Sequence, residues 1–224
     1  MKLTKRLETI AKLVAPGGIV VDVGCDHGLL CLYLLSNNLA SHCIACDISA
    51  KCLDKVPLVP SLSKRLGNGL SVIKLDEKVH TIVISGMGGL NICEILKDYF
   101  DRLVAANIDT HGLQIVVSPQ SNVEDVRCLL LSYSLDIVTD FVLKDYKFYD
   151  IIKAASVKPL ACLPLSDVSE TKLRYGMFCD QPNFDLKQKL TLLLDKCNLA
   201  KQRVVCDAKL LEKIAQINEV LKWQ

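Results

Sequence analysis

Ile19-Val20-Val21-Asp22-Val23-Gly24-Cys25-Asp26-His27-Gly28 is the stretch that decides the fold. A strand-type run ends in a turn with two glycines, which opens onto the apolar, helix-like run Leu29-Leu30-Cys31-Leu32-Tyr33-Leu34-Leu35. A strand, a tight glycine turn and a helix form the first half of a nucleotide-binding βαβ unit. The turn also constrains the ligand. A dinucleotide fingerprint starting at Gly24 would need glycine at 26 and 29, where the chain has Asp26 and Leu29. A carboxylate at 26 would stand where a pyrophosphate meets the helix N-terminus, and like charges there repel. S-adenosylmethionine has no phosphate and carries a sulfonium and an ammonium, so carboxylates suit it. Asp22, Gly24, Asp26 and Gly28 are therefore read as cofactor-binding residues.

Outward from this turn the same alternation continues. Leu3, Leu7, Ile10 and Val14 follow helical spacing up to the stop at Pro16-Gly17-Gly18. Strand-like runs recur at Ile19 to Val23, Cys43 to Cys46, Thr81 to Ile84 and Gln114 to Val117, with helical stretches between most of them. That pattern predicts a parallel sheet with right-handed crossovers. A further strand near Ser61 to Leu66 is the least patterned, because Pro57 and Pro60 break the segment before it. After a helical run from Val123 to Leu131, strands at Leu135 to Leu143 and Phe148 to Ala155 flank Lys144-Asp145-Tyr146-Lys147, which predicts an antiparallel edge hairpin.

Pro159 and Pro164 mark a linker over Lys158 to Ser166. Beyond it, Leu186, Leu190, Leu193 and Cys197 form one apolar seam, and Val204, Leu211, Ile214, Ile217 and Leu221 form another. A turn near Asn198 to Gln202 would make an antiparallel helical pair. The expected fold class is α/β, a class I Rossmann-like methyltransferase domain over residues 1–160 with a coiled-coil-like helical extension over 161–224.

With 224 residues, half of them hydrophobic, the chain can build one full α/β core and an appendage. Met1 to Leu13 is basic and amphipathic, unlike a secretory signal, and no apolar run reaches the roughly 18 to 20 residues of a membrane span. The 11 cysteines are odd in number and mostly lie inside apolar runs, which suits reduced thiols in a cytoplasmic protein. Cys43 and Cys46 form a C-x-x-C pair on a strand, where their side chains would face opposite ways, so no metal site is expected. A net charge of +2 does not advertise a nucleic-acid partner for the whole molecule. Two local basic groups stand out: Lys2, Lys5, Arg6 and Lys12 against Glu8, and Lys172 and Arg174 beside Lys187 and Lys189.

The loops after the later strands carry further chemistry. Asp47, ending the second strand, can accept two ribose hydroxyls, or cap the helix that follows. Gly67-Asn68-Gly69 places Asn68 and Gly69 where an adenine edge would lie; an ordinary turn reads the same way. In Ser85-Gly86-Met87-Gly88-Gly89 the glycines allow close backbone approach at Gly86, and Met87 would project over the pocket. The Asn/Asp-Pro-Pro-aromatic motif of N6-adenine methyltransferases is absent there. Ser118-Pro119-Gln120-Ser121-Asn122 brings hydroxyls and amides to the same sheet edge.

Taken together, Leu3-Thr4-Lys5-Arg6-Leu7, the Asp22 to Gly28 turn, Gly67-Asn68-Gly69, Ser85 to Gly89 and Lys147-Phe148-Tyr149-Asp150-Ile151-Ile152 resemble the bacterial tRNA (adenine-22-N1)-methyltransferase family. The resemblance covers residues 1 to about 155, and the helical pair matches the family's coiled-coil extension in kind. The chain departs from it in having Asn68 for an aspartate, Asp47 for a glutamate and Ser118-Pro119-Gln120 for Gln-Pro-Asn. The resemblance implies transfer of a methyl group from S-adenosylmethionine to N1 of an adenosine in tRNA. Asp26 is then the expected catalytic carboxylate with His27 beside it, and Lys5, Arg6, Ser118, Gln120 and Asn122 are the expected substrate contacts. A monomer is expected, with a dimer through the helical pair left open. A methyltransferase for another RNA or a small molecule, and a non-catalytic RNA-binding module on this fold, remain alternatives.

Overall fold

The computed structural model describes residues 3–162, 168–201 and 207–224. Lys2, Pro164, Gln202 and Val204 of the sequence reading lie outside them. The elements run α1 (Lys5–Leu13), β1 (Gly18–Val23), α2 (Leu29–Ser36), β2 (Ala40–Asp47), α3 (Ala50–Lys55) and β3 (Leu62–Leu66). Then follow β4 (Thr81–Ser85), α4 (Gly89–Ala105), β5 (Gln114–Ser118), α5 (Val123–Ser132), β6 (Asp136–Lys144) and β7 (Phe148–Ala155). Three helices, α6 (Glu170–Tyr175), α7 (Phe184–Lys201) and α8 (Ala208–Trp223), complete the described chain.

The strands form one sheet in the order β3-β2-β1-β4-β5-β7-β6. The first five are parallel, and β7 runs antiparallel to both β5 and β6, as the edge hairpin requires. The order reverses between β1 and β4, and the crevice at the carboxyl ends of strands beside such a reversal is where α/β sheets bind ligands. Both faces are covered. Val21, Val23, Ile82, Ile84 and Ile115 pack under Ile92, Leu96 and Phe100 of α4, whereas Val20, Val83 and Val116 pack under Ile10 of α1 and Leu30 and Leu34 of α2. A doubly covered parallel sheet needs apolar residues on both faces, which is why β1 and β4 read as unbroken apolar runs. Cys43 and Cys46 sit in opposite clusters, as their spacing predicts.

The poorly patterned strand exists. Helix α3 stops at Lys55 because Val56 precedes Pro57 and takes an extended conformation. β3 then pairs with β2 from Cys43↔Leu62 to Asp47↔Leu66. As an edge strand it is held partly by polar contacts: Arg65 forks onto Glu77, and Lys64 Nζ donates to the carbonyls of Leu53 and Val56. Such contacts leave no hydrophobic period to read.

The helical extension is docked on the sheet. Val142 of β6 packs with Tyr175, Leu186, Leu190, Ile217 and Val220. Beneath this interface lies Arg127 of α5, 1% exposed, with Nε and Nη2 donating to the Asp140 carboxylate at 2.8 and 3.0 Å. Its Nη1 donates to the Leu173 carbonyl at 2.8 Å, and the Met177 N–H donates to Asp140 at 2.7 Å. Gln224 accepts from the Asn183 N–H, so the end of α8 meets the start of α7 and the pair is antiparallel. Helix α7 continues through Asn198 to Lys201, so the turn expected near Asn198 to Gln202 is not found in its described part, and Gln202 lies outside the described residues.

Candidate active site

A cavity of about 610 Å³ opens at the carboxyl ends of β1 to β4. Gly24, Asp47, Asn68, Gly69 and Met87 line it, joined by Asn91, Glu94 and Asp98 from α4. Among the described residues its lining holds three carboxylates, those of Asp47, Glu94 and Asp98 (the last paired with Arg102), and no lysine, arginine or histidine. Such a cavity attracts a cation and repels a phosphate. Asp47 ties two turns together, accepting from the Ser49 N–H at 2.8 Å and the Asp26 N–H at 3.2 Å. Capping of α3 falls instead to Ser49, whose side chain accepts from the Cys52 N–H. Gly24 has a φ of +69°, the left-handed region that favours glycine, and a Cβ there would press on the end of Met87, 2.8 Å from its Cε. A larger cleft of about 730 Å³, beside His80, Tyr99 and His111, lies at the opposite end of the strands.

The rest of the first turn has other tasks. Asp22 is 4% exposed and points away from the cavity, its carboxylate accepting from Cys31 Sγ at 3.7 Å. Burial pushes its carboxyl up to about 7; the Cys31 bond opposes that rise and the nearby Asp47 charge adds to it. Gly28 is the left-handed residue that starts α2, and a Cβ there would meet Val56 at 2.8 Å. Asp26 and His27 lie on the outer rim and neither lines the cavity. His27 Nε2 is 3.4 Å from Asp26 Oδ1 and accepts from Lys55 Nζ at 3.0 Å.

Next to the cavity, a second group converges on Gly86. A Cβ at Gly86 would lie 3.4 Å from Arg6 Nη1 and 3.7 Å from Gln120 Nε2. The Arg6 guanidinium sits 4.8 Å over the centre of the Tyr149 ring. Main-chain bonds from Gln120 to Met87 and from Gly86 to Ser118 lock the β4 and β5 loops together. Ser118 Oγ and Tyr149 Oη are both buried without a hydrogen-bond partner among the described residues. Exposed Tyr146, at the hairpin tip, stands edge-on to Tyr149 at 5.5 Å. Lys5 Nζ reaches the Lys144 carbonyl at 2.7 Å, tying α1 to the same hairpin. Asn122 adopts a left-handed conformation, and its side chain does not cap α5.

The structure thus gathers Gly24, Asp47, Asn68, Gly69 and Met87 around one cavity, and Arg6, Gly86 and Gln120 beside it. It holds Asp22, Asp26, His27 and Gly28 outside the lining. Sequence reasoning missed Asn91, Glu94 and Asp98, although their helical spacing puts them on one face just after the glycine loop. It also passed over Tyr146 and Tyr149 as site residues; an aromatic at the tip of a polar hairpin was the available signal. The second basic group is largely paired within the chain. Lys172 pairs with Asp180, Arg174 with Glu170 and Glu124, and Lys189 with Asp150, so most of that charge is neutralised internally.

Residues 3–152 match a family model described as a methyltransferase domain. The tRNA (adenine(22)-N(1))-methyltransferase of Bacillus subtilis (strain 168) is 33% identical over 162 residues, covering 69% of this chain and 65% of that protein. The matched region therefore spans slightly less than two thirds of that relative's length. The solved structure of a Streptococcus pneumoniae protein, described as a candidate tRNA (m1A22) methyltransferase, superposes with a TM-score of 0.85 at 26% identity. It covers 98% of this chain and 100% of its own. A second structure of that protein, in complex with S-adenosyl-L-methionine, gives 0.84 at 27% identity over the same shares. With the family model over most of its length, the acid-lined cavity at the sheet reversal and these relatives, the chain belongs to the methyltransferase domain family.

Proposed function

We propose that the protein transfers a methyl group from S-adenosyl-L-methionine to N1 of adenosine 22 in tRNA. The observation that carries this reading is a cavity lined by three carboxylates and no cation, adjoining a slot built from Arg6, Gly86, Gln120 and Tyr149. Bound in the cavity, the cofactor supplies an electrophilic methyl group. Asp47 would hold its ribose, Asn68 and Gly69 its adenine edge, and Gly24 and Met87 the wall nearest the sheet reversal. Glu94 adds negative charge that favours a cationic ligand, whereas the Asp98 carboxylate is ion-paired with Arg102 at 3.3 Å.

N1 of neutral adenine has an in-plane lone pair, so no base is needed to prepare it. The protein's task is to position it. N1 also lies on the Watson–Crick edge, so the target base must be unpaired or flipped out. Asp26 would supply negative charge near the base that becomes cationic, with His27 fixed beside it by Lys55. Gln120 and Asn122 offer amides to the base, while Lys5 and Arg6 sit where phosphates of the flipped nucleotide would pass. No helix among the described residues is long and apolar enough to cross a membrane, and the reading of the protein as cytoplasmic rests on its proposed tRNA substrate.

The test is labelled-methyl transfer to unmodified tRNA, followed by nucleoside analysis. The expected product is 1-methyladenosine at one position. Label in another nucleoside, or none at all, overturns the assignment and leaves a different substrate or a non-catalytic module.

A further inference from the structure

The Arg6 guanidinium is half-buried, lies over the Tyr149 ring and, among the described residues, makes no hydrogen bond and no ion pair. A guanidinium has five N–H donors, and leaving them unused in a half-buried site is unusual unless they serve another molecule. The ring beneath it is only 2% exposed, and Arg6 and Lys147 Nζ, 5.2 Å from its centre, cover it. Its hydroxyl is buried and unpartnered. Gly86 removes the side chain that would fill the space beside Arg6, and Tyr146 stands exposed at the slot's mouth. A flat cation held on an aromatic face next to an acid-lined cavity has the shape and the charge of a methylated adenine base.

Resting on the methyltransferase reading above, we propose that the Tyr149 face now covered by Arg6 is the seat of the target adenine. Arg6 holds that seat in the free protein and turns to a phosphate of the flipped nucleotide when the base enters. The chemistry gives the seat a purpose. As N1 takes the methyl group, the bonding pair returns to sulfur and unit positive charge passes to the adenine ring; no proton moves in this step. An aromatic face that attracts a guanidinium also attracts the charge that develops on the base, so Tyr149 stabilises the reacting base more than the neutral one.

The test uses the full-length protein without cofactor and two probes, adenosine 5′-monophosphate and 1-methyladenosine 5′-monophosphate, in mildly acidic buffer where the methylated base stays cationic. NMR titration of the wild type should show a roughly two- to thirtyfold preference for the methylated nucleotide, the range expected of a cation–π contact. Tyr149→Phe should keep the preference and Tyr149→Leu should lose it. Because a buried leucine there can also disturb folding, a series of increasingly fluorinated phenylalanines of nearly equal shape serves as the second variant. The preference should fall stepwise with each fluorine, in parallel with kcat on tRNA. A wild type that binds both nucleotides equally, or a preference indifferent to fluorination, overturns the seat. Loss of tRNA methylation by the wild type overturns instead the enzymatic reading on which the seat rests.

Discussion

Asp22 shows how a buried carboxyl shapes stability. Buried on the sheet with a thiol as its hydrogen-bond donor, it titrates near 7 instead of near 4. In the unfolded chain it loses its proton near pH 4. Between these values the folded state binds the extra proton, so stability falls as pH rises through this window and stays low above it. Asp22→Asn keeps an oxygen for Cys31 and removes the titration. Urea unfolding of the cofactor-free variant should then lose the fall in stability that Asp22 contributes between pH 4 and 7, and at pH 8 the variant should be more stable than the wild type by on the order of 4 kcal/mol at most. Identical pH profiles for the two proteins would mean that Asp22 is not a burdened acid. Asp47 is the opposite case, half-buried, bonded to two main-chain N–H groups and facing the cavity. Asp47→Ala should weaken S-adenosyl-L-methionine binding by roughly 1.5 to 3 kcal/mol in titration calorimetry, the scale of hydrogen bonds to a charged group.

At the scale of elements, legibility followed burial. β1, β4 and β5 are covered on both faces, so their apolar runs announced them, and the glycine turn after β1 announced the reversal beside it. β3 was hard to read because ion pairs at a sheet edge leave no period. The candidate site divides in the same way. Loop residues with special backbone needs, such as Gly24 and Gly86, could be found from local spacing. The meeting of Arg6 with Tyr149 joins α1 to β7, and nothing local predicts it. Arg127 is another long-range element of this kind. It binds Asp140 on β6, the carbonyls in the last turn of α6 and, at 3.5 Å, Asp150 on β7. Arg127→Met should leave the Asp140 carboxylate buried without its cation, Asp150 keeping Lys189, and cost about 3 to 5 kcal/mol by denaturant unfolding. Arg127→Lys should recover only part of that loss, because an ammonium cannot fork onto Asp140 and reach the Leu173 carbonyl together. A near-neutral Arg127→Met would show that the ion cluster is dispensable to the docking of the extension.

At the scale of the molecule, the extension and the sheet edge act on one surface. The Lys144 N–H at the hairpin donates to the Asp185 carboxylate at the start of α7, and Lys144 Nζ reaches Gln188. Lys5 closes the same corner from α1. A tRNA delivering a base to Gly86 would therefore pass over α1, the hairpin tip and the first turn of α7 together. Exposed Lys147 and Lys187 lie on that path, whereas Lys172 is paired with Asp180 elsewhere on the extension. With a net charge of only +2, binding should involve few phosphates and depend moderately on salt. Each lysine that meets a phosphate contributes roughly 0.7 to 0.9 to the slope of log affinity against log salt. Lys147→Gln and Lys187→Gln should each lower the slope by about that amount, and Lys172→Gln should leave it unchanged. Filter binding of unmodified tRNA across a salt series measures all three. If Lys172→Gln lowers the slope while Lys147→Gln does not, tRNA lies along the outer helices and the hairpin edge is not its track.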